Sequence, residues 1–121
     1  MARILLVEDD NAVRSFVARA LEIDSHRVVE AEDGEDGLEI FVADNDGFDL
    51  VLTDIQMPQL DGIQMSEALS KACPGQKILM MTGYANQRER AANLESIIID
   101  VVQKPFTLPE IRKQVKLALA A

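Results

Sequence analysis

The sequence is poor in cysteine, histidine and aromatic residues. Its 121 residues include one cysteine, one histidine and no tryptophan. A single cysteine, Cys73, cannot form an internal disulfide, which is typical of a protein from a reducing compartment. We interpret Cys73 as a small, partly buried side chain before Pro74 rather than as a nucleophile.

Long apolar runs and targeting signals are also missing. No apolar run reaches the roughly 20 residues that a membrane-spanning helix needs. The N-terminus, Met1–Ile4, leads directly into a predicted strand and has no apolar signal region or small-residue cleavage site. We therefore expect a cytoplasmic protein without membrane insertion, with residues 1–121 forming one domain and no attached effector.

Basic residues are too few for a nucleic-acid-binding protein. The chain has 12 basic and 21 acidic residues and a net charge of −9, whereas binding to phosphates needs excess Lys and Arg. The acidic stretch from Glu30 to Asp49 contains no base and is interpreted as a solvated face. A separate protein-docking face is possible around the late basic residues, which are Arg88, Arg90, Arg112, Lys113 and Lys116.

Short apolar runs alternate with helical periodicity along the whole chain. Predicted strands cover 4–7, 28–29, 48–53, 78–81 and 97–102, and each is followed by a predicted helix. The first helix is expected to have Asn11 as its N-cap, and a polar helix is expected around Arg88 to Leu94. The last helix has the clearest start, with Thr107 three residues before Glu110 and Pro109 in its first turn. This alternation predicts a single α/β domain with a mostly parallel, doubly wound sheet.

Polar residues end four of the five predicted strands. Because parallel strands share their carboxyl edge, where ligands of open α/β sheets bind, these residues are expected to converge. Each group alone is more often a cap, turn or surface residue, and their coincidence at one edge favours a functional site. The groups are Glu8-Asp9-Asp10, Asp54, Thr82-Gly83 and Lys104-Pro105.

Clustered carboxylates repel each other, and a divalent cation relieves that repulsion. Oxygen ligands without cysteine or histidine favour a hard ion, and Mg²⁺ fits best because it also accepts phosphoryl ligands. The sequence contains neither a Walker A motif nor G-x-G-x-x-G. The phosphoryl group is therefore expected on the protein itself, with an aspartate as the covalent acceptor.

Four motifs with their order and spacing resemble the receiver domain of two-component response regulators over nearly the whole chain. They are ILLVEDD at 4–10, LVLTDIQMPQLDG at 50–62, MMTGY at 80–84 and QKPF at 103–106. The resemblance implies the CheY-like, flavodoxin-like (βα)5 fold, with a five-stranded parallel sheet in the order 2-1-3-4-5. It implies a phosphohistidine donor, either a histidine kinase or a histidine phosphotransferase, rather than classical enzyme activity.

The resemblance also implies roles for individual residues. Asp54 resembles the phosphoacceptor, Thr82 the switch hydroxyl and Lys104 the lysine that pairs with the phosphoryl group. Glu8 and Asp9 resemble the acidic pair that holds Mg²⁺. Asp54 and the backbone carbonyl of Gln56 would complete the set of protein ligands. Pro105 resembles the proline that follows in cis, and Asp10 receives no role.

One position departs from the family pattern. The aromatic residue often found three positions before the lysine is Val101 here, so a threonine–aromatic relay is not expected. Tyr84 or Phe106 would cover part of the site instead. Phosphorylation is expected to shift the fourth predicted helix, the fifth strand and the last helix, which form the output face.

A finer resemblance concerns residues 81–108, which are similar to the CpdR-type single-domain response regulators of the alphaproteobacterial cell cycle. It implies phosphorylation through a hybrid kinase and a phosphotransferase. It also implies an output at ClpX and the ClpXP protease, with Ala120-Ala121 as a degradation tail or simply a helix end.

Two alternatives stay open from the residues. An aspartate-nucleophile phosphatase of the haloacid dehalogenase type would need a second Asp two residues after Asp54, where Gln56 stands. A pseudo-receiver that binds partners without phosphorylation is disfavoured by the intact set of Asp9, Asp54, Thr82 and Lys104.

Overall fold

A computed structural model describes residues 1–44, 46–83, 91 and 96–121. The strands in this part are β1 (Arg3–Val7), β2 (Arg27–Ala31), β3 (Leu50–Asp54), β4 (Ile78–Thr82) and β5 (Asp100–Gln103). The helices in it are α1 (Asn11–Ile23), α2 (Gly34–Ala43), α3 (Gly62–Ala72) and the last helix, here α4 (Leu108–Ala120). The helix predicted around Arg88 to Leu94 lies outside the described residues apart from Ala91, and Tyr84 lies outside them as well.

The five strands form one parallel sheet in the order β2-β1-β3-β4-β5, which confirms the predicted fold class. The central strand β3 is buried along its whole length. A strand covered on both faces reads as a continuous apolar run, and this is why the sequence pattern located it.

The core lies on both faces of the sheet. Along β1 the side chains alternate, so Ile4 and Leu6 pack with residues of α1 and α4, while Leu5 and Val7 pack with residues of α2 and α3. Helices therefore cover both faces, as right-handed crossovers between parallel strands require. This arrangement leaves the carboxyl edge of the sheet open for a site.

Side-chain caps begin the described helices. Asp61 and Thr107 each form a capping box with the glutamine or glutamate three residues later, which confirms the predicted start of the last helix. The expected N-cap at Asn11 was wrong by one residue. Asp10 is the cap, because its Oδ1 accepts hydrogen bonds from the amides of Ala12 and Val13 at 2.9 and 3.1 Å.

Two predictions about the surface have different outcomes in the structure. Cys73 is exposed rather than partly buried, because it ends α3 at the surface. Most acids between Glu30 and Asp49 are exposed, as expected for a solvated face, but Asp44 pairs with the Arg3 guanidinium. None of the helices in the described residues is long and apolar enough to cross a membrane.

Two glycines allow close backbone approach beside the carboxyl edge. A Cβ on Gly62 would lie 2.1 Å from the Asp54 carbonyl oxygen, and one on Gly34 would lie 2.0 Å from the Leu60 carbonyl oxygen. Both distances are far inside van der Waals contact. The segment between Asp54 and Gly62 is therefore held against β3 and α2 only because neither position has a side chain.

Candidate functional site

The predicted polar residues meet at the carboxyl edge of the sheet, where a pocket opens between the β1–α1, β3–α3 and β5–α4 connections. Its polar lining comes from Glu8, Asp9, Asp10, Asp54, Gln56 and Lys104. Each follows or ends a strand, so the parallel topology alone brings residues from positions 8 to 104 together.

Three carboxylates form the centre of the pocket. One oxygen each from Glu8, Asp9 and Asp54 lie within 4.8 Å of one another. Glu8 is 0% exposed and Asp54 is 7% exposed, whereas Asp9 is exposed to solvent. Two acids are thus held in a poorly solvated position, and the third can reach a ligand from the solvent side.

Among the described residues, Lys104 is the cation that lies against these carboxylates and partly compensates their charge. The ammonium Nζ of Lys104 donates to Glu8 Oε1 at 2.5 Å and lies 3.3 Å from Asp54 Oδ2. Burial lowers the pKa of Lys104, but the hydrogen bond to Glu8 and the charges of both carboxylates outweigh it and raise this pKa above its ordinary value. Lys104 therefore stays charged and bridges two acids that would otherwise repel each other.

The buried acids have raised pKa values. Burial raises the pKa of Glu8 to about 7, despite the lowering effect of Lys104. Burial also raises the pKa of Asp54, although Lys104 and the Ile55 amide, which donates to Asp54 Oδ1 at 3.0 Å, act in the opposite direction. Burial is thus the main cause of both raised pKa values, and Lys104 offsets it only in part.

The donor set fits a magnesium ion. Three carboxylate oxygens within reach of one another are hard ligands, and Asp9 is exposed to solvent, so water could supply further ligands to a bound ion. A bound cation would also offset the burial and the charge of Asp54, which both raise the pKa of Glu8. Gln56 is exposed and lines the same pocket. Its backbone carbonyl therefore stays a predicted ligand.

The remaining predicted site residues differ in placement. Thr82 is buried at the end of β4, and its carbonyl accepts a hydrogen bond from the Lys104 amide at 2.7 Å. The peptide bond before Pro105 is cis, and both Pro105 and Phe106 line the pocket. Val101 packs against a small core cluster around Ile55 and does not line the pocket.

The sequence analysis did not predict the roles of two residues that hold the β1–α1 connection, Asp10 within it and Arg14 in the first turn of α1. Asp10 caps α1, and an acid directly before a helical pattern was the available signal. Arg14 reaches back to this connection, because its Nη1 donates to the Glu8 carbonyl oxygen at 2.8 Å. Nothing in the sequence pattern indicates which way an arginine in a first helical turn will point.

Comparison with known proteins gives a family for this arrangement. The family model of the response regulator receiver domain matches residues 4–116. The chain belongs to this family, which supplies the receiver domains of two-component response regulators. Receiver domains bind Mg²⁺ at an acidic pocket, and they interact with histidine kinases or phosphotransferases.

Among curated proteins, the chain is similar to the response regulator MprA. It is 34% identical to MprA of Mycolicibacterium vanbaalenii and of Mycobacterium leprae over 117 residues, which are 97% of this chain and 50% of each relative. The chain thus spans about half the length of these relatives. A specific likeness to the CpdR type is not confirmed by these relatives and stays a prediction.

Solved structures show the same fold. A receiver domain protein of Clostridium thermocellum superposes with a TM-score of 0.89 at 25% identity, covering 99% of this chain and 95% of that one. TrrA of Thermotoga maritima, solved in complex with Mg²⁺ and BeF, gives a TM-score of 0.87 at 30% identity, covering 98% and 99%. The receiver domain of the hybrid histidine kinase CckA gives 0.80 at 30% identity, covering 97% and 98%.

Proposed function

We propose that the chain accepts a phosphoryl group on Asp54 from a phosphohistidine of a partner protein, in a reaction that depends on Mg²⁺. The observation that carries the proposal is the position of Lys104, whose ammonium contacts both Glu8 and Asp54 beside the cluster of three carboxylates. The ammonium of Lys104 and the carboxylates of Glu8 and Asp9 thus lie around the Asp54 carboxylate at the carboxyl edge of the sheet.

The chemistry follows from these groups. An oxygen of Asp54 attacks the phosphorus atom, the phosphorus–nitrogen bond breaks, and its electron pair returns to the imidazole, which leaves as neutral histidine after taking a proton from solvent. Lys104 stabilises charge on the phosphoryl oxygens, and Thr82 would contact them from β4. Mg²⁺, held by Glu8, Asp9, Asp54 and the Gln56 carbonyl, would supply further charge stabilisation.

An apolar rim beside the acidic centre supports docking of the phosphodonor partner. Ala12, Val13 and Phe16 of α1 line the same pocket as Pro105 and Phe106. The rings of Phe16 and Phe106 lie 6.4 Å apart between centroids, and Phe16 is 40% exposed. An exposed ring beside a half-buried one next to Asp54 suits a protein surface better than a small substrate alone.

The proposed output is a change in protein–protein interactions on one face of the domain. This face consists of the helix predicted around Arg88 to Leu94, strand β5 and the last helix, α4. The covalent phosphoryl group adds up to two negative charges beside Lys104, and the resulting movement of Thr82 and Lys104 would shift β5, which directly precedes Lys104. The finer output, control of ClpXP-dependent proteolysis in the cell cycle, rests on the sequence likeness of residues 81–108 to CpdR-type regulators.

Titration with Mg²⁺ and beryllofluoride, followed by NMR, tests the phosphoacceptor. We expect amide shifts centred on residues 54–57, 82–83 and 104, and no such shifts in Asp54→Asn. Glu39→Gln, an exposed acid on α2, is the matched control and should respond like the wild type. No response in the wild type would favour the pseudo-receiver, whereas steady turnover of phosphate esters would favour the phosphatase.

The proteolysis output needs a separate measurement. Degradation of a ClpXP substrate is followed with the unmodified protein, with the beryllofluoride form and without either. A difference between the two forms is expected, and identical rates in all three reactions would remove this output while leaving the phosphoacceptor intact. Replacing Ala120 and Ala121 by Asp tests the degradation tail, which predicts a longer half-life of the protein.

A further inference from the structure

Arg14, in the first turn of α1, holds the connection that carries the acidic pair. Its Nη1 donates to the Glu8 carbonyl oxygen at 2.8 Å, and its Nη2 donates to Asn11 Oδ1 at 2.5 Å. Its Nε lies 3.5 Å from Glu30 Oε1 on β2, and its side chain is only 16% exposed. The guanidinium therefore ties the end of β1, the start of α1 and the edge strand together.

Hydrogen bonds hold the amide, the carboxylate and the carbonyl of Glu8. Its amide donates to the Ala31 carbonyl oxygen at 3.1 Å, and its side chain is held by Lys104 and by the Asp10 amide. Arg14 donates to the Glu8 carbonyl, which belongs to the peptide group between Glu8 and Asp9. This peptide carries the backbone nitrogen of Asp9, so the contact with Arg14 restrains the backbone from which the exposed Asp9 side chain extends.

We propose that Arg14 is a positioning residue for the divalent cation, an inference that rests on the proposed function. It acts through the Glu8–Asp9 peptide and does not touch the ion. A planar guanidinium with several donors is suited to this role, because it can hold a carbonyl and two other oxygens in one fixed geometry.

The positive charge of Arg14 and its positioning role predict opposite changes in Mg²⁺ affinity when the residue is replaced. A guanidinium close to an acidic pocket repels a divalent cation, so removing it by charge effects alone would tighten Mg²⁺ binding. If Arg14 positions the ligands, removing it weakens binding instead. The two effects oppose each other, and the direction of the change identifies the dominant one.

The test is the Mg²⁺ dissociation constant of the complete chain, measured by NMR titration without a phosphodonor, together with urea unfolding without metal. We expect Arg14→Gln to raise the dissociation constant about tenfold. Arg14→Lys, which keeps one donor, should recover part of the loss. Glu30→Gln leaves the carbonyl contact intact and should stay within about twofold of the wild type.

The matched control is Arg112→Ala. Arg112 of α4 also ties an end of α1, through two hydrogen bonds to the carboxylate of Asp24 at 2.6 and 3.1 Å, but at the edge opposite the pocket. It should lower stability without changing Mg²⁺ affinity. Unchanged or tighter binding in folded Arg14→Gln would overturn the positioning role alone, whereas a wild-type chain that binds no Mg²⁺ would overturn the proposed function as well.

Discussion

Lys104 is bound more closely to Glu8 than to Asp54. Its Nζ lies 2.5 Å from Glu8 Oε1 but 3.3 Å from Asp54 Oδ2. The lysine thus contacts both acids but is paired more tightly with Glu8 than with Asp54, the proposed phosphoacceptor. A magnesium ion at the proposed site would therefore compete with the ammonium for Glu8, and its binding would release Lys104 towards a phosphoryl group on Asp54.

The first prediction concerns Lys104→Met. Without the ammonium, the carboxylates bind both protons and Mg²⁺ more tightly. The affinity for Mg²⁺ rises more, because the ion carries twice the charge of a proton. We expect Mg²⁺ to bind about tenfold more tightly, a change of roughly 1.4 kcal/mol. Modification of Asp54 by a small phosphodonor should nevertheless slow by at least about tenfold, because charge stabilisation of the phosphoryl oxygens is lost.

Calorimetric titration with Mg²⁺ and mass spectrometry of the phosphorylated chain measure these two effects. Lys77→Met is the matched control, because the Nζ of Lys77 donates to the Leu119 carbonyl oxygen at 2.7 Å, at the opposite edge of the sheet. It should alter neither quantity. Weaker Mg²⁺ binding by Lys104→Met would contradict competition for Glu8.

The second prediction is a fall in the stability of the metal-free protein as pH rises from 5 to 8. The pKa of Glu8 is about 7 in the folded state and 4.5 ordinarily, so the folded protein holds more protons in this interval. Stability contributed by the neutral carboxyl is complete below pH 4.5 and lost as pH rises through 7. We expect the free energy of unfolding to fall by about 1 to 3 kcal/mol.

Urea unfolding at several pH values, with and without Mg²⁺, measures this dependence. Glu8→Gln should be nearly flat over the same interval, because its amide does not titrate, and Mg²⁺ should reduce the slope in the wild type by favouring the carboxylate. Asp44, whose pKa the Arg3 guanidinium lowers to about 2, acts only at much lower pH. Rising stability from pH 5 to 8 in the metal-free wild type would contradict the burial of Glu8.

Much of the fold could be predicted because it depends on periodicity. The buried strand β3 reads as a continuous apolar run, and the capping box at Thr107 is local in sequence. The convergence of Glu8, Asp54 and Lys104 followed from parallel topology, since each stands at or after a strand end. Local pattern and topology are therefore sufficient to gather the site.

Side-chain partners could not be predicted in the same way. The sequence places Lys104 at the same edge as the carboxylates, but its closer contact with Glu8, at 2.5 Å against 3.3 Å for Asp54, depends on the packing of the side chains. The contact of Arg14 with the Glu8 carbonyl depends on a rotamer, and the exposure of Cys73 on how α3 ends. These properties arise from packing in three dimensions rather than from the order of residue types.

The third prediction concerns Gly62→Ala. The added Cβ would lie 2.1 Å from the Asp54 carbonyl oxygen, so β3 or α3 must move. We expect a loss of about 1 to 3 kcal/mol in stability and weaker Mg²⁺ binding, because the displaced backbone carries Asp54, the proposed phosphoacceptor. Thermal unfolding and Mg²⁺ titration measure both effects.

Gly83→Ala is the matched control for stability. Among the described residues, the atom nearest to a Cβ there would be the Lys104 Cβ at 3.9 Å, which is ordinary contact. Its stability should stay within about 0.5 kcal/mol of the wild type. Equal stability of both glycine variants would show that the segment between Asp54 and Gly62 is not packed as tightly as described.

The last prediction separates the apolar rim from the acidic centre. Phe16→Ala removes an exposed ring next to Phe106 but no group that contacts the carboxylates. Phosphorylation by a small donor should therefore proceed at the wild-type rate, while transfer from a phosphohistidine protein should slow by about tenfold or more, the usual cost of an aromatic anchor. Val42→Ala, which trims an exposed apolar side chain of α2 away from the pocket, should affect neither rate. Equal slowing with both donors would place Phe16 in the chemistry of Asp54, and unchanged transfer from the protein donor would remove the rim from the docking surface.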